Sequence, residues 1–361
     1  MNALAEKIVT RIRQQGPISF CQFMEMALYD PEQGYYTRCR EIGPQGDYYT
    51  SANIHPLFGE LLGEKFVSLL AACDGLTELT IVEVGAGTGH LAKDILRYLP
   101  SYHPDLFEQL TYIISELSPA FRIVQQQRLQ QFHCVQWVAL SDLGPESVNG
   151  IIFSNELIDA LPVHRIMRQG KRLRELFVDW RDGQFVWVPG HISTPELAQW
   201  LSSRDVALEE GQIVEVNLNA MDYLDLAAAV LRGGYLVTID YGELRSQLYS
   251  SAHREGTLRC FTKHVVTDNP FERIGEQDIT ASVDFTLLIE YGEQVGLETV
   301  EFKCQREFML EQGLIERLVG LGRSDQDPLD QLKSQLAAKH LLMPGALGDH
   351  FKLLIQRKSC G

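Results

Sequence analysis

The segment with the clearest chemical meaning is residues 80–91, TIVEVGAGTGHL. β-Branched residues dominate its first half, as expected of a strand that is buried on both faces of a parallel sheet. Three alternating glycines, Gly85, Gly87 and Gly89, come next and are followed by helical apolar spacing. Because glycine has no Cβ, a bound molecule can lie directly against the backbone of such a turn. The segment predicts a strand, a ligand-binding turn and a helix, the first unit of a nucleotide-binding α/β fold.

The spacing of the glycines restricts the kind of ligand. A dinucleotide fingerprint, G-x-G-x-x-G, would require a third glycine at the position of His90. Here Glu83 stands two places before three alternating glycines, and this E-x-G-x-G-x-G pattern resembles motif I of class I S-adenosyl-L-methionine methyltransferases. The resemblance implies that the three glycines bind the methionine end of the cofactor and that Glu83 orders the turn. A purely structural turn in another α/β protein is the alternative interpretation.

Two further acidic residues follow predicted strands of the same sheet. Glu116 comes directly after the strand at 111–115, where an acidic side chain can accept hydrogen bonds from both ribose hydroxyls of an adenosyl group. Asp142 follows a short strand at 135–138 and is predicted to reach the adenine edge. A surface carboxylate at a strand end is the alternative for Glu116. We predict that both residues bind the cofactor.

A second informative segment, residues 154–165, SNELIDALPVHR, follows the predicted strand at 151–154. Open α/β sheets place their chemistry at the carboxyl ends of strands, which is where Asn155, Glu156 and Asp159 fall. A helix cap would explain Asn155 alone, but it would not explain the two carboxylates. We predict an active site at this strand end, with Asn155 beside the cofactor.

Apolar spacing and turn residues indicate the elements that position these side chains. The predicted core strands also include 235–239, which ends at Asp240, 298–303 and a final edge strand at 350–357. Predicted helices cover 2–15, 19–28, 56–72, 119–131, 195–202, 217–232, 284–295, 306–321 and 328–340. Residues 243–280 show little regular pattern and are predicted to form a long crossing loop. The order of these elements predicts an α/β fold around a parallel sheet.

An alternating segment with two turns lies beside the predicted active site. Residues 163–188 turn at Gly170 and at Gly183, and they predict an antiparallel β insertion. Its basic residues, interpreted as a solvated hairpin face, are Arg165, Arg168, Lys171, Arg172 and Arg174. The predicted domains are an N-terminal helical and lid segment at 1–75 and a methyltransferase core at 76–361, with insertions at about 163–190 and 243–281.

Composition and charge limit the class of protein. Of the 361 residues, 45% are hydrophobic and 22% are charged, as in ordinary soluble globular proteins. The formal net charge of −16 argues against a general nucleic-acid-binding protein, which would carry a basic surface. Seven scattered cysteines without C-x-x-C spacing argue against a disulfide framework or a zinc site and favour a reducing compartment. With neither a signal peptide nor an apolar run of about 18 residues, we expect a cytoplasmic protein that binds no metal and does not insert into membranes.

Five segments together carry a closer resemblance. They are GDYYTS (46–51), VEVGAGTGHL (82–91), NELIDALPVHR (155–165), DYG (240–242) and ASVDF (281–285). They occur in the order found in MidA-type proteins, the bacterial relatives of the mitochondrial complex I assembly-factor arginine methyltransferase, and the resemblance covers roughly residues 15–357. Family members often have aromatic residues where this chain has Leu157 and Ile158. Such differences alter packing and bear on substrate identity more than on cofactor use.

The resemblance implies a class I fold with a seven-stranded sheet, S-adenosyl-L-methionine as methyl donor and arginine in a protein as methyl acceptor. It also implies that Asp47, Thr50 and Ser51 close over the cofactor. Methyl transfer from a sulfonium is an in-line displacement that needs positioning and a dry pocket more than a metal or a catalytic triad. Because the arginine guanidinium is always charged, a carboxylate must hold it, orient one nitrogen and take up or relay a proton.

These requirements assign roles to polar residues at the strand ends. Glu156 is the first candidate for the carboxylate that holds the guanidinium, with Asp159 and Asp240 as its partners. His164 could relay a proton, although a histidine in an apolar turn is more often structural. All four are predicted to be catalytic residues.

Three other functions are open on the sequence. A class I methyltransferase acting on a small molecule is disfavoured by the insertions, since a protein substrate needs an extended docking surface. A non-catalytic assembly chaperone built on the same fold is disfavoured by the intact glycine turn and the retained carboxylates. An NAD oxidoreductase is disfavoured by His90. Apolar helices near both termini would suit either a cap on the core or a homodimer interface.

Overall fold

The chain combines helices and strands, and its computed structural model describes residues 1–38, 56–73, 79–204, 206–262, 265–321 and 347–359. Its strands are β1 (Ile18–Ser19), β2 (Leu79–Val84), β3 (Leu110–Ser115), β4 (Val135–Trp137), β5 (Val148–Asn155), β6 (His164–Gln169), β7 (Arg172–Arg181), β8 (Gln184–Gly190), β9 (Ile213–Val216), β10 (Leu231–Glu243), β11 (Arg259–Thr262), β12 (Val265–Thr267), β13 (Asp278–Thr280), β14 (Val283–Asp284), β15 (Glu298–Cys304) and β16 (Phe351–Lys358). Its helices are α1 (Ala3–Gln15), α2 (Phe20–Tyr29), α3 (Leu57–Ala71), α4 (His90–Tyr102), α5 (Pro104–Phe107), α6 (Pro119–Leu129), α7 (Pro195–Ser203), α8 (Asn219–Val230), α9 (Arg245–Leu248), α10 (Phe285–Gln294), α11 (Gln305–Glu311), α12 (Leu314–Leu321) and α13 (Leu347–His350).

The β-branched run before the glycine turn forms β2, near the middle of a mostly parallel sheet. Strands of this sheet pair in the order β15, β16, β10, β5, β2, β3, β4. β2 runs parallel to β3 on one side and to β5 on the other, so that Val84 lies opposite both Ser115 and Ser154. The carboxyl ends of these neighbours therefore lie at one edge of the sheet. This arrangement confirms the predicted α/β fold and places the glycine turn beside the ends of β3 and β5.

The sheet belongs to a compact unit made of residues 42–157, 223–242 and 289–361. Its buried core includes Phe66 of α3, Ile95 of α4 and Phe153 of β5. The ring centroids of Phe66 and Phe153 lie 5.0 Å apart. Helices therefore cover the central strands with apolar side chains, as a parallel sheet requires.

A second compact unit consists of residues 1–41, 158–222 and 243–288. Its antiparallel sheet runs in the order β1, β7, β6, β9, with β8 beside β7. β6, β7 and β8 are the predicted β insertion. The N-terminal helices pack on this sheet, since Leu4 of α1 and Phe23 of α2 share a buried cluster with Val178 of β7.

The prediction of a long irregular loop at 243–280 is wrong. Within this range β11 lies between β12 and β13 in a small antiparallel sheet, with Cys260 opposite both Thr267 and Ile279. Each of the three strands has only three or four residues. Such short strands show too little alternation to be recognised in the sequence.

The last strand is not the edge strand that the sequence suggested. β16 pairs antiparallel with β10 on one side and with β15 on the other, so β15 lies at the edge. Residues 351–356 of β16 are buried without interruption. Continuous burial is typical of a strand that has neighbours on both sides and helices on both faces.

Two predicted helices have different ends in the structure. The helix predicted at 217–232 ends at Val230, and its last residues belong to β10. The helix predicted at 306–321 is divided into α11 and α12 near Gly313, which has a φ of +83°. The helix predicted at 328–340 lies outside the described residues. In the described part of the chain, no helix has both the length and the apolar character to cross a membrane.

Two glycines allow the three central strands to approach closely. Gly150 of β5 lies opposite Thr80 of β2 and opposite Gly234 of β10. A Cβ on Gly150 would lie 2.3 Å from the Thr80 carbonyl oxygen, and one on Gly234 would lie 1.9 Å from the Gly150 carbonyl oxygen. Their φ angles, +141° and +126°, are also unfavourable for residues with side chains. The sheet therefore needs glycine at both positions.

We expect Gly150→Ala to destabilise the protein by roughly 2–5 kcal/mol, because the added methyl group must displace backbone and the φ angle is strained. Gly144→Ala is the matched control, since a Cβ there has no neighbour within 4 Å. We expect that control to change the free energy of unfolding by less than about 1 kcal/mol. Urea unfolding followed by circular dichroism measures both, and similar values for the two variants would contradict the close approach.

Candidate active site

The glycine turn joins β2 to α4 through left-handed backbone. The φ angles of Gly85, Gly87 and Gly89 are +71°, +53° and +76°. A Cβ on Gly85 would lie 2.8 Å from Cδ1 of Leu157, so a side chain there would displace its neighbour. The Gly85 amide donates to the Ser115 carbonyl oxygen at 2.9 Å and ties the turn to the end of β3. Bare backbone at the strand ends is what the close approach of a cofactor requires.

Glu116 comes directly after β3, and only 8% of its surface is exposed. Its Oε1 accepts a hydrogen bond from the Ser118 amide at 2.9 Å, and its Oε2 accepts one from Nε2 of Gln125 at 3.1 Å. Burial raises the pKa of Glu116 above its ordinary value, while the bonds from Ser118 and Gln125 oppose that rise. Two donors thus hold the carboxylate in one orientation.

Gln125, which the sequence analysis did not identify, connects Glu116 to the glycine turn. The residue is fully buried on α6, and its Nε2 also donates to the Gly87 carbonyl oxygen at 2.7 Å. Nε1 of Trp137 donates to Oε1 of Gln125 at 3.0 Å. Because the indole is only a donor, this bond fixes which end of the amide faces the turn. One side chain therefore holds both the turn and the carboxylate.

The sequence does contain a signal for Gln125. The buried positions of α6 are Phe121, Gln125 and Leu129, each four residues from the next. A glutamine within an apolar helical stripe needs a buried hydrogen-bond partner, because an unsatisfied amide would be costly there. From the same helix, Arg128 donates to the Thr88 carbonyl oxygen at 2.7 Å. α6 thus binds two consecutive carbonyl groups of the glycine turn.

Glu83 lies inside β2 with 2% of its surface exposed. The Tyr112 hydroxyl of β3 donates to its Oε2 at 2.6 Å. Burial raises the pKa of Glu83 from 4.5 to about 7, opposed by the bond from Tyr112 and assisted by the charge of Glu116. This bond joins β2 to β3 immediately before the turn. That Glu83 also orders the turn itself stays a prediction.

Glu156 comes directly after β5 and has a φ of +55°, a left-handed conformation that is unfavourable for a residue with a side chain. Its amide donates to the Ile239 carbonyl oxygen at 2.9 Å. The next amide, of Leu157, donates to Oδ2 of Asp240 at 3.2 Å. Nδ2 of Asn155 donates to Oε1 of Glu156 at 3.1 Å. Strained backbone that is held by its surroundings is typical of functional positions.

Asp240 is fully buried in β10 and contacts backbone on both sides. Besides the bond from Leu157 to Oδ2, its Oδ1 accepts one from the Tyr241 amide at 2.8 Å. Asp240 therefore fixes the peptide that follows Glu156. Its predicted direct role towards the substrate stays a prediction.

The structure brings together Glu116 and the glycine turn, and it brings together Asn155, Glu156 and Asp240. Asp142 is exposed in a short 3₁₀ turn, Leu140–Asp142. Asp159 and His164 belong to the other compact unit. There, Nδ1 of His164 lies 2.8 Å from Oε1 of Glu175, and the Asp159 carbonyl oxygen accepts a bond from the Ala281 amide. Asp47, Thr50 and Ser51 lie outside the described residues.

The raised pKa of Glu83 predicts a pH dependence of stability. Because the folded protein holds the Glu83 proton more tightly than the unfolded chain, this contribution is fully present below about pH 4.5 and is lost as the pH rises to about 7. We expect the free energy of unfolding to fall more over this range in the wild type than in Glu83→Gln. Urea titrations at several pH values measure the slopes, with the exposed Glu108→Gln as control. Equal slopes for the wild type and Glu83→Gln would contradict the assignment.

Comparisons with known proteins place this geometry in a family. A family model of S-adenosyl-L-methionine-dependent methyltransferases matches residues 61–303. Protein arginine methyltransferase NDUFAF7 of Danio rerio is 30% identical across 97% of this chain and 86% of its own length, and the Homo sapiens protein is 27% identical across 95% and 81%. A Burkholderia thailandensis protein crystallised with S-adenosyl-homocysteine has a TM-score of 0.88 and 29% identity, covering 99% of this chain and 92% of that one.

The residues at the strand ends fit this cofactor. S-adenosyl-homocysteine is what S-adenosyl-L-methionine becomes after losing its methyl group. Left-handed, side-chain-free backbone at Gly85, Gly87 and Gly89, and a buried carboxylate that Gln125 holds beside this turn at Glu116, suit such a ligand. The chain is therefore a MidA-type member of the S-adenosyl-L-methionine-dependent methyltransferase family, and S-adenosyl-L-methionine is its cofactor.

Proposed function

We propose that the protein transfers methyl groups from S-adenosyl-L-methionine to arginine guanidinium groups of a protein substrate. The observation that carries this proposal is Glu156, a carboxylate on strained backbone at the carboxyl end of β5, with Asn155 bonded to it. The named activity of the NDUFAF7 relatives supports arginine as the methyl acceptor. Those relatives match almost the whole chain, so the support is not confined to the cofactor-binding motif.

In this proposal, the glycine turn and the residues around it bind the cofactor. The turn would hold the methionine end, Glu116 would accept hydrogen bonds from the ribose, and Asn155 would lie beside the cofactor. Asp142 would reach the adenine edge, while Asp47, Thr50 and Ser51 would close over the site. When bound, S-adenosyl-L-methionine supplies an activated methyl group on a sulfonium. The protein then contributes position and the exclusion of water.

On the substrate side, Glu156 would hold the guanidinium. A carboxylate grips this planar cation through two parallel hydrogen bonds, which also orients one nitrogen for attack. Its negative charge stabilises the cation as the nitrogen gains a methyl group and loses a proton. Asp240 would keep the Glu156 backbone in place, with Asp159 as a further carboxylate and His164 as a proton relay. These roles require geometry that is rigid before the substrate arrives.

The function is tested by replacing Glu156 in a strain that lacks the native gene. We expect protein-bound methylarginine, measured by mass spectrometry, to return with the wild-type gene but not with Glu156→Gln, because the variant loses the charge that holds the guanidinium. Glu146→Gln is the control, since Glu146 is an exposed glutamate with a left-handed φ of +52°. With the purified variant, we expect the methyl-transfer rate to fall by a factor of about 100 or more. Calorimetry should show that the variant binds S-adenosyl-L-methionine as tightly as the wild type does.

Other outcomes would replace the proposal. A methylated metabolite without any methylated protein would indicate a small-molecule methyltransferase. Full complementation by Glu156→Gln, with no change in methylation, would indicate a partner-binding protein on a methyltransferase fold.

The hydrogen bonds of Gln125 predict its effect on cofactor affinity. Gln125→Leu keeps a similar volume but removes the donor to the Gly87 carbonyl oxygen and to Glu116. We expect the dissociation constant for S-adenosyl-L-methionine to rise about 10- to 100-fold, the effect of losing hydrogen bonds that include one to a charged group. Gln127→Leu, an exposed change on the same helix, is the control. A folded Gln125→Leu protein that binds as tightly as the control would contradict the role assigned to Gln125.

A further inference from the structure

Lys352 of β16 is a buried cation in the unit that contains the large sheet. Only 9% of its surface is exposed. It belongs to the buried run 351–356, in a strand that has neighbours on both sides. Lysine is rarely buried to this extent unless it is paired, because an ammonium group loses its hydration there. The position of Lys352 therefore calls for a negative charge nearby.

The strand register supplies that charge. Lys352 lies directly opposite Asp240 of β10. The adjacent pair, Ile239 and Leu353, belongs to the apolar core on one face of the sheet. Because successive side chains of a strand point to opposite faces, Asp240 and Lys352 share the other face. Side chains that are directly opposite on one face have Cβ atoms about 5 Å apart, and opposite charges attract at this separation.

The ammonium group of Lys352 is directed towards the edge of the sheet that carries the candidate active site. Its Nζ donates to the Asp349 carbonyl oxygen at 2.7 Å, and Asp349 belongs to α13, just before β16. Since β16 runs antiparallel to β10, the beginning of β16 lies beside the end of β10. The end of β10 lies in turn beside the end of β5, which Glu156 follows.

The hydrogen bonds of Asp240 indicate that its carboxyl group is ionised. Its Oδ2 accepts from the Leu157 amide at 3.2 Å, and its Oδ1 accepts from the Tyr241 amide at 2.8 Å. A protonated carboxyl group would carry a hydrogen on one of these oxygens, which would then be a donor. Two acceptor bonds, one at each oxygen, therefore favour the carboxylate. A fully buried carboxylate would take up a proton unless its charge were compensated.

Two other titratable groups near Asp240 supply no positive charge. Glu156 is itself acidic. Burial raises the pKa of Tyr223 on α8 to about 12, a rise that the contact with Ser154 opposes and the charge of Asp240 assists. Tyr223 is therefore neutral at pH 7, whereas Lys352 brings a full positive charge from the neighbouring strand.

We propose that Lys352 is a positioning residue, whose ammonium group balances the buried charge of Asp240 and keeps Asp240 in the ionised form that holds the Leu157 amide. Through that amide, Lys352 fixes the strained peptide that carries Glu156. The consequence for methyl transfer rests on the proposed role of Glu156, whereas the pairing of Lys352 with Asp240 does not.

A double-mutant cycle measures the pairing without any assay of activity. Lys352→Gln removes the charge but keeps a donor for the Asp349 carbonyl group, and Asp240→Asn removes the opposite charge. Each single variant leaves one buried charge without its partner, while the double variant leaves neither. We expect urea unfolding to give the double variant an unfolding equilibrium constant about tenfold or more below the value that the two separate effects predict. If a single variant does not fold, recovery of folding in the double variant is the corresponding result.

Lys358 of the same strand provides the matched control. Its Nζ also donates to a backbone carbonyl oxygen, that of Ala228, at 2.7 Å, but the residue opposite it is Gly234. We expect the effects of Lys358→Gln and Asp240→Asn on the free energy of unfolding to add.

Amide hydrogen exchange at Leu157 measures the positioning itself. We expect exchange at least about tenfold faster in Lys352→Gln than in the wild type, because the amide loses its ionised acceptor. Lys352→Arg, which keeps the charge, and Lys358→Gln should exchange at the wild-type rate. The methyl-transfer rate should fall by a similar factor in Lys352→Gln and return in Lys352→Arg, with the dissociation constant for S-adenosyl-L-methionine unchanged.

The inference is overturned if the effects of Lys352→Gln and Asp240→Asn add, or if Leu157 exchanges at the wild-type rate in a folded Lys352→Gln protein. Its consequence for methyl transfer is overturned if Lys352→Gln transfers methyl groups at the wild-type rate while Glu156→Gln does not. A failure of the proposed function is seen separately, as the absence of methylarginine with the wild-type gene. The cycle and the exchange rates then still decide the pairing.

Discussion

The parallel pairing of β2 with β3 on one side and β5 on the other is the constraint on which the candidate active site depends. Because the three strands point the same way, the glycine turn, Glu116 and Glu156 all follow strand ends at one edge of the sheet. The close approach of the strands at Gly150 sets how near those ends can lie. Both features are contacts between strands, and both determine where the ligand-binding groups can lie.

Around that edge, buried polar groups hold backbone as well as other side chains. Gln125 binds a carbonyl group of the glycine turn, and Asp240 binds the amide that follows Glu156. Irregular backbone at a strand end leaves donors and acceptors that water cannot reach, so a side chain must satisfy them. The same bonds give the turn and the strained residue a single conformation. The glycine turn and the backbone at Glu156 are therefore rigid because their buried donors and acceptors have hydrogen-bond partners.

Sequence reasoning reached the fold, the cofactor and the family because the glycine spacing and the residues after each strand are local signals. It failed where an element is fixed by contacts between residues that lie far apart in the chain or by elements too short to show a pattern. The position of β16 between β10 and β15 depends on partners far apart in sequence, and the strand pairs around Cys260 are too short to show a period. Gln125 left a local signal, a polar residue in an apolar stripe, but its partners at Gly87 and Trp137 are visible only in three dimensions.

The left-handed backbone of Glu156 has a consequence for how this position can vary. A residue with a side chain adopts this backbone conformation at a cost of roughly 1 kcal/mol or more relative to glycine. If Glu156 holds the guanidinium as proposed, the glutamate lowers the stability of the fold in exchange for a carboxylate, the trade-off expected of residues under selection for activity. Under that proposal, relatives that lack the activity would be free to carry glycine or asparagine at this position, since both accept left-handed backbone more readily.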